Sequence, residues 1–374
     1  MVDFHGYDMP VTYDGDFGGV MKEHNHTRKS CGIFDVSHMG QVHFRGKHSK
    51  QFLEAMTVAD LEALKAGQSC LSLVMNEMGG IKDDCIISKV TDEHYYVVLN
   101  AGCKDKDLRH FRTHMARNKK KMPEISVQYE SEQVKSLIAV QGPQAQGLLQ
   151  EILDEKPNLS NLGFMETTHD LLFKHDEIIV SRCGYTGEDG FEVSLPNAQA
   201  EAFMDKLLAV KAADGTPVAV PCGLGARDSL RIEAGLCLYG NELKEDISPI
   251  KAMLAWTISK RRREELGFLG DTMVKLHLDE GVTRKRCGFV GDKIPVRGGT
   301  ELFLKKGDGS VGDMVGYVTS GTVGPSVGKA VGMAFVDTPH NKFNTELLAM
   351  VRGKPTPVTV NKMPFVPAHY YKKP

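Results

Sequence analysis

Two adjacent aspartates are the first candidates for chemistry. Asp83 and Asp84 follow a turn at 76–80 and lie inside a segment, 81–90, that otherwise has the composition of a strand. Because successive strand residues point to opposite faces, only one of the two carboxylates can easily face a given pocket. Either the pair is exposed to solvent near the turn, as most carboxylates are, or one member is a partly buried general acid/base or electrostatic stabiliser.

Other charged residues also allow two interpretations. Glu192 lies in the apolar strand 190–195, where an inward carboxylate needs hydrogen-bond donors, although strand alternation allows outward exposure equally. Arg227 and Arg231 are four residues apart and would share one face of a helix, as a salt-bridged surface or as part of a binding site. The basic run 260–263 is either a solvated face or an attractor for an acidic partner protein.

Several common catalytic motifs are missing from the sequence. Residues 321–330, GTVGPSVGKA, resemble a phosphate-binding loop, but Val323 replaces its first glycine and Ala330 its magnesium-binding hydroxyl, so a turn between strands is predicted. His110 and His114 have metal-ligand spacing without the glutamate of HExxH, so we expect surface histidines and no metal. No cysteine lies in an activation motif that would indicate a covalent nucleophile.

Length and composition indicate a folded chain of several domains. With 374 residues the chain is longer than one compact core usually allows, so two or three domains are expected. A composition of 41% hydrophobic and 25% charged residues is typical of globular proteins rather than disordered ones. The net charge of -2 argues against nucleic acid as the main ligand, and no apolar stretch is long enough for a membrane span.

The cysteines and the first residues bear on the compartment. The eight cysteines are scattered without a CxxC pair, which favours reduced thiols and a reducing compartment. The first 20 residues contain four aspartates and no arginine, unlike a signal or transit peptide. We therefore expect any targeting segment to be missing from this chain.

Local patterns predict mixed sheet and helix elements followed by a small barrel. They predict strands at 70–75, 81–90 and 95–100, a helix through Leu108, Phe111 and Met115, a helix opened by Gly142-Pro143, a hairpin of 178–183 with 190–195, and a helix through Phe203 and Leu207. From 284 to 361 short apolar runs alternate with glycine-rich turns, as in a small barrel or sandwich. We place the domains at 1–270, as two interleaved α+β subdomains, and at 284–374.

The chain resembles the T-protein family of the glycine cleavage system over nearly its whole length. The resemblance is in the stretches FDVSHM (34–39), NEMGGIKDD (76–84), NAGCKDKD (100–107), AVQGP (139–143), RCGYTGEDGFE (182–192), ARDSLRIEAGLCLYGNEL (226–243), TSGTVGPS (319–326) and KMPFVPAHYY (362–371). It implies an α+β fold, a three-domain cloverleaf with two mixed α/β folate-binding domains and a small C-terminal β-barrel. It also implies folate in a central channel formed mainly by the first two domains.

The resemblance further implies an aminomethyltransferase. Such an enzyme moves an aminomethyl group from the lipoyl arm of H-protein to tetrahydrofolate, and forms methylenetetrahydrofolate, ammonia and dihydrolipoyl H-protein. Carried over to this sequence, the resemblance places Asp84 at the reacting centre, Glu192 on the pterin and Arg227 on the folate tail. Further folate-pocket positions are Met39, Leu71, Tyr96, Asn100, Tyr185 and Tyr370.

Partner, compartment and alternatives follow from the same resemblance. We expect lipoylated H-protein as a transient partner of a monomer, tetrahydrofolate as co-substrate, no metal, and the mitochondrial matrix rather than the cytoplasm. One alternative is a stand-alone folate module of the dimethylglycine or sarcosine demethylation type, whose usual flavin domain is missing here. Another is a non-catalytic folate-binding iron–sulfur assembly factor, against which the Asp84 region and the set of pocket residues argue.

Overall fold

The computed structural model describes residues 1–373. Its strands are β1 Val2–Phe4, β2 Tyr7–Met9, β3 Cys31–Asp35, β4 Gly40–Arg45, β5 Ser69–Met75, β6 Ile81–Thr91, β7 His94–Leu99, β8 Ser126–Glu130, β9 Lys135–Gln141, β10 Thr167–Phe173, β11 Asp176–Ser181, β12 Gly190–Pro196, β13 Ala219–Pro221, β14 Arg284–Gly291, β15 Glu301–Lys305, β16 Val311–Val323, β17 Ala330–Asp337, β18 Glu346–Val351 and β19 Lys354–Asn361. Its α-helices are α1 Val20–Lys29, α2 Ser49–Met56, α3 Lys104–Asn118, α4 Ala145–Ile152, α5 Asn197–Ala209, α6 Leu224–Glu233, α7 Lys260–Glu265 and α8 Asp271–Glu280. Short 3-10 helices lie at Leu159–Asn161 and Ala255–Thr257.

The chain divides into two compact units. The first contains Met1–Val74, Asp83–Arg227 and the residues from His369 onward. The second contains Met75–Lys82 and Asp228–Ala368. The domain bounds 1–270 and 284–374 stay a prediction.

Two sheets form the framework of the first unit. One has six strands in the order β10-β11-β12-β9-β3-β13, of which β13 pairs parallel with β3. The other has five strands in the order β5-β6-β7-β4-β8. The consecutive strands β3 and β4 belong to different sheets, so the two α+β regions are interleaved along the sequence. The predicted fold class is confirmed in both its mixed α/β part and its barrel.

The six-stranded sheet is stabilised by helices packed on its apolar side chains. Helix α5 buries Phe203 and Leu207, which are four residues apart and therefore on one helix face. Helix α4 buries Leu148 and Leu149 in the same core cluster. Each such side chain contributes about 1.5–3 kcal/mol when it is fully removed from water. This packing fixes the strand β12, which carries Glu192.

The alternation of side chains along β6, in the five-stranded sheet, sets the orientation of Asp83 and Asp84. From Ile81 to Ile86 buried and half-buried residues alternate strictly along β6, as expected for a strand with two different faces. Asp83 therefore points to the buried face and Asp84 to the other. The alternative of a solvent-facing pair is wrong, because Asp83 is 0% exposed and Asp84 is half-buried.

The second unit contains a closed barrel. Its six strands follow the order β14-β17-β16-β15-β18-β19, and antiparallel pairing of β14 with β19 closes it. The glycine-rich residues 321–330 end β16 and enter β17, so the predicted turn between strands is confirmed. Gly321 has a backbone reason to be glycine, because a Cβ there would lie 2.0 Å from the carbonyl oxygen of Val296.

Most other predicted elements are confirmed with small shifts at their ends. The meander is β5, β6 and β7, and the predicted helices through Phe111 and Phe203 are α3 and α5. Helix α4 begins at Ala145 rather than at Pro143, because Gln144 is its N-cap residue and its backbone N–H donates to the carbonyl oxygen of Ser30. All eight cysteines are free thiols. In residues 1–373 no helix has the length and apolar character needed to cross a membrane.

Candidate functional site

The Asp84 carboxylate is oriented by the side chain of Asn100. Asn100 directly follows β7, the neighbour of β6 in the sheet, and its Nδ2 donates to Oδ1 of Asp84 at 2.8 Å and to the carbonyl oxygen of Asp84 at 3.1 Å. Both residues are half-buried. The structure therefore brings together two predicted site residues that are 16 positions apart, and it fixes the direction of the carboxylate.

Glu192 and Arg227 bring opposite charges to a second part of the candidate site. Glu192 lies on β12 and Arg227 in the first turn of α6. Burial raises the pKa of Glu192, while the positive charge of Arg227 and a hydrogen bond from the Cys183 thiol oppose that rise. The guanidinium of Arg227 lies 4.8 Å from the ring centroid of Tyr185. Three predicted ligand residues are thus neighbours, and they offer one carboxylate, one planar cation and one aromatic face.

Tyr96 on the five-stranded sheet and Ser194 on the six-stranded sheet contact the same side chain, Gln41. Tyr96 is 2% exposed, and its hydroxyl donates to Oε1 of Gln41 at 2.8 Å. The Ser194 hydroxyl, two residues beyond Glu192 on β12, donates to the same oxygen at 2.6 Å. The Nε2 of Gln41 is buried and has no hydrogen-bond partner among the described residues.

An unpartnered buried amide is an argument for a polar ligand or ordered water beside it, since such groups are normally satisfied. The Gln41 amide offers an N–H donor and the Glu192 carboxylate offers acceptor oxygens, so a ligand with both donors and acceptors on its edge would suit this part of the site. The sequence did not single out Gln41. Along β4 the polar residues Gln41, His43 and Arg45 alternate with apolar ones, a pattern that does not distinguish Gln41 from a solvent-facing residue.

Tyr370 belongs to the C-terminal residues from His369 onward, which are part of the first unit. Its ring stacks on Phe164 with 4.2 Å between centroids and 14° between planes. Beside it, the ring of His369 contacts Glu188 at 2.9 Å, and Glu188 accepts from Arg28 at 2.9 Å. The C-terminal residues are therefore held on the loop after β11, which also carries Tyr185.

The Arg28 and Glu188 pair is a feature that the sequence did not indicate. The two residues are 160 positions apart, and neither lies in a local pattern that distinguishes it from surface charge. Both are largely buried, with 10% and 3% of their side chains exposed. The pair positions the tail that carries Tyr370, because Glu188 binds Arg28 and His369 at the same time.

Met39 and Leu71 are placed by strand order alone. Met39 precedes Gly40, which pairs with Leu99 next to Asn100. Leu71 lies on β5, the neighbour of β6. All nine predicted residues belong to the first unit, and all except Tyr96 are half-buried, as expected for side chains that line a cavity.

The basic run 260–263 is less exposed to solvent than its sequence implied. Arg262 is 4% exposed and donates to the carbonyl oxygen of Leu266, so the expectation of a fully solvated cationic face is wrong for this residue. Arg263 donates through Nε to the carbonyl oxygen of Ile258 at 2.8 Å. Lys260 stays exposed, and the nearby Trp256 is 65% exposed.

The predicted surface position of His114 is also wrong, because that ring is buried in α3.

Two family models together match most of the chain. The GCVT N-terminal domain matches residues 1–262, and the glycine cleavage T-protein C-terminal barrel domain matches residues 284–367. The mitochondrial aminomethyltransferase of Dictyostelium discoideum is 46% identical over 100% of this chain and 90% of its own length. That of Gallus gallus is 40% identical over 99% of this chain and 90% of its own length.

A solved structure extends the agreement to three dimensions. The glycine cleavage system aminomethyltransferase T from Bartonella henselae superimposes with a TM-score of 0.88 at 36% identity, and covers 99% of this chain and 95% of its own. Fold and matches define a tetrahydrofolate-dependent aminomethyltransferase as the class of enzyme. The chain belongs to the glycine cleavage T-protein family, as its sequence motifs predicted.

Proposed function

We propose that this enzyme transfers the methylene carbon of an aminomethyl group, carried on the lipoyl arm of H-protein, to tetrahydrofolate. The products are ammonia, 5,10-methylenetetrahydrofolate and dihydrolipoyl H-protein. The observation that carries the proposal is the placement of an oriented carboxylate, Asp84, in the same unit as the pair Glu192 and Arg227. The first suits reaction and the second suits the binding of a molecule with a polar ring and an anionic tail.

Folate recognition follows from the chemistry of the charged pair. The pterin edge presents an amino group and ring N–H donors, which suit a carboxylate such as Glu192. The glutamate tail of folate presents carboxylates, which suit the planar fork of Arg227. The ring of Tyr185 beside Arg227 offers an aromatic face to the ligand, and Tyr96 and Tyr370 are proposed as further aromatic contacts.

Asp84 acts on the reacting atoms in this proposal. Its carboxylate stabilises positive charge as a folate nitrogen attacks the methylene carbon, and it assists proton movement as ammonia leaves. Two N–H protons of tetrahydrofolate are lost, one to the departing ammonia and one to the sulfur, while two C–N bonds form and the C–N and C–S bonds of the aminomethyl group break. Asn100 holds the Asp84 carboxylate in one orientation during these reaction steps.

H-protein has to bring its lipoyl arm to the enzyme. We propose that the exposed Lys260 and Trp256 take part in its docking. The exposed cations of the basic run 117–121, which are Arg117, Lys119, Lys120 and Lys121, are a second, separate contribution. Exposed cations steer an acidic partner in a salt-sensitive way, and an exposed tryptophan is a common anchor in interfaces. Arg263 helps by holding the backbone next to Trp256, because its guanidinium donates to the carbonyl oxygen of Ile258.

Compartment and assembly are part of the same proposal. The Dictyostelium and Gallus relatives are named mitochondrial, which supports the mitochondrial matrix over the cytoplasm. We expect a monomer that meets H-protein transiently, tetrahydrofolate as co-substrate, and no metal.

One assay tests the proposed reaction against its alternatives. Aminomethyl-loaded H-protein and tetrahydrofolate are supplied, and ammonia and methylenetetrahydrofolate are measured. Equal amounts of both products support the proposal. A parallel assay supplies the carbon from dimethylglycine or sarcosine in place of H-protein. Formation of methylenetetrahydrofolate only in that assay would indicate a demethylation module. Folate binding without either reaction would indicate a non-catalytic folate protein.

A further inference from the structure

The Asn100 amide is surrounded by carboxyl and carbonyl oxygens on two sides. Its Nδ2 lies 2.9 Å from Oδ1 of Asp83 and 2.8 Å from Oδ1 of Asp84, and its backbone N–H donates to Oδ2 of Asp83 at 3.0 Å. Only the NH2 end of the amide can face these acceptors, since its oxygen would meet oxygens on both sides. The orientation of the amide is therefore set by the two aspartates together.

Asp83 is in turn held from the buried side of the sheet. The Asp83 carboxyl, the Cys103 thiol and the Asp107 carboxyl lie within 4.8 Å of one another, and both aspartates are 0% exposed. Burial raises the pKa of Asp83, and hydrogen bonds with Asp107, Asn100 and Cys103 oppose that rise. Two carboxyls this close in a buried site disfavour double ionisation, which suits an interaction in which one of them is the donor.

The same residues begin helix α3. The carbonyl oxygen of Asn100 accepts from the backbone N–H groups of Cys103 and Lys104, at 2.9 and 3.0 Å. Asp107 lies in the first turn of that helix, where the helix dipole favours a carboxyl group. Strand β6, Asn100 and helix α3 are thus joined at one point, and a shift of any of them moves the amide that contacts Asp84.

We propose that Asp83 is a positioning residue: its carboxyl, braced by Asp107, fixes the Asn100 amide, and that amide fixes the Asp84 carboxylate at the reacting centre. This inference rests on the proposed role of Asp84. It explains why a buried carboxyl pair is present where an apolar residue would be less costly to bury. Asp83 itself faces away from the pocket and touches no substrate.

The variant Asp83→Asn tests the proposal. An asparagine at 83 offers one acceptor oxygen where the carboxylate offers two, and its NH2 group opposes one of the two Asn100 donors. Loss of alignment by about 1 Å costs on the order of 10²-fold in rate, so we expect kcat to fall by about 10- to 100-fold. The KM and Kd for tetrahydrofolate should stay within about threefold, since the charged contacts that dominate binding are untouched.

A matched control and a second position separate positioning from folding. Asp105→Asn changes an exposed carboxylate in the same first turn of α3 and should leave kcat and the melting temperature unchanged. Asp107→Asn keeps a donor for Asp83 and should cost less in kcat than Asp107→Leu, which removes it. A purely structural role would instead lower the melting temperature and the fraction of folate-binding protein, with a normal kcat per active site.

Two results would overturn the inference. One is a folded Asp83→Asn enzyme with wild-type kcat, and the other is an equal loss in Asp107→Asn and Asp107→Leu. Asp84→Asn measured in parallel separates this failure from failure of the proposed function. If Asp84→Asn is inactive while Asp83→Asn is normal, only the positioning role is wrong. If Asp84→Asn is fully active, the reacting centre has been misplaced.

Discussion

The two charged ends of the candidate site hold their carboxylates in different ways. Asp84 accepts from the neutral amide of Asn100, whereas Glu192 lies near the cation of Arg227. A neutral donor orients a carboxylate and leaves its charge in place, as stabilisation of a developing positive charge requires. A nearby cation opposes the rise in pKa that burial causes, and so favours the ionised carboxylate that accepts hydrogen bonds. The Asp84 end is therefore suited to reaction and the Glu192 end to binding.

Removal of the charge at the reacting end should give the largest effect. General acid/base assistance is worth about 10²- to 10⁴-fold, so Asp84→Asn should lower kcat by that range while tetrahydrofolate still binds. Steady-state kinetics with loaded H-protein and a separate folate titration measure the two quantities. Asp92→Asn, which changes an exposed carboxylate beyond the same strand, is the matched control. A wild-type kcat in Asp84→Asn would remove the distinction between the ends.

Loss of the cation at the binding end should act on affinity. Charge-assisted pairs are worth roughly 1.5–3 kcal/mol, so Arg227→Ala should weaken tetrahydrofolate binding by about 10- to 100-fold. Turnover at saturating folate should change far less. Isothermal titration or fluorescence quenching gives the Kd, and the exposed Arg297→Ala serves as control. Unchanged affinity in Arg227→Ala would show that the folate tail lies elsewhere.

The pH dependence of binding should report on Glu192. Burial raises its pKa, and only the ionised carboxylate accepts from the pterin donors, so affinity is full above that pKa and falls as the pH drops through it. The loss should approach about tenfold per pH unit and begin at a higher pH than for an ordinary glutamate. In Glu192→Gln the profile should be flat over this range. A wild-type profile without this decline would argue against a pterin contact by Glu192.

Docking of H-protein should depend on neither charged end. Lys260→Gln removes one exposed cation, and since exposed charges are worth about 0.2–1 kcal/mol, the KM for H-protein should rise by a few-fold at low salt and less at high salt. Trp256→Ala should raise the same KM without a salt dependence. The tetrahydrofolate Kd is the internal control. A KM for H-protein that neither variant changes would exclude this surface from docking.

Local patterns predicted the elements of the site, but not the contacts that orient it. Alternation and turn residues predict β5, β6 and β7, and they place Asp83 and Asp84 on opposite faces. They cannot show that Asp107, on a later helix, meets Asp83, because that contact depends on how α3 packs against the sheet. Glu188 and Arg28 were missed for the same reason, since 160 residues separate them.

For the basic run 260–263, the sequence suggested an exposure that the structure does not have. Charge alone predicts a solvated face, whereas Arg262 is buried and donates to a backbone carbonyl oxygen of the loop that follows α7. Arginine can leave the surface because its five donors satisfy several acceptors at once. Sequence gives no sign of where those acceptors lie, so the exposed part of the run is known only from the fold.

A single-turnover experiment tests the contrast between the two ends most directly. Loaded H-protein and tetrahydrofolate are mixed with Asp84→Asn and with Arg227→Ala over a range of folate concentrations, and methylenetetrahydrofolate is followed with time. We expect Arg227→Ala to approach the wild-type rate at high folate, whereas Asp84→Asn should stay slow at every concentration. The same dependence on folate in both variants would contradict this expectation.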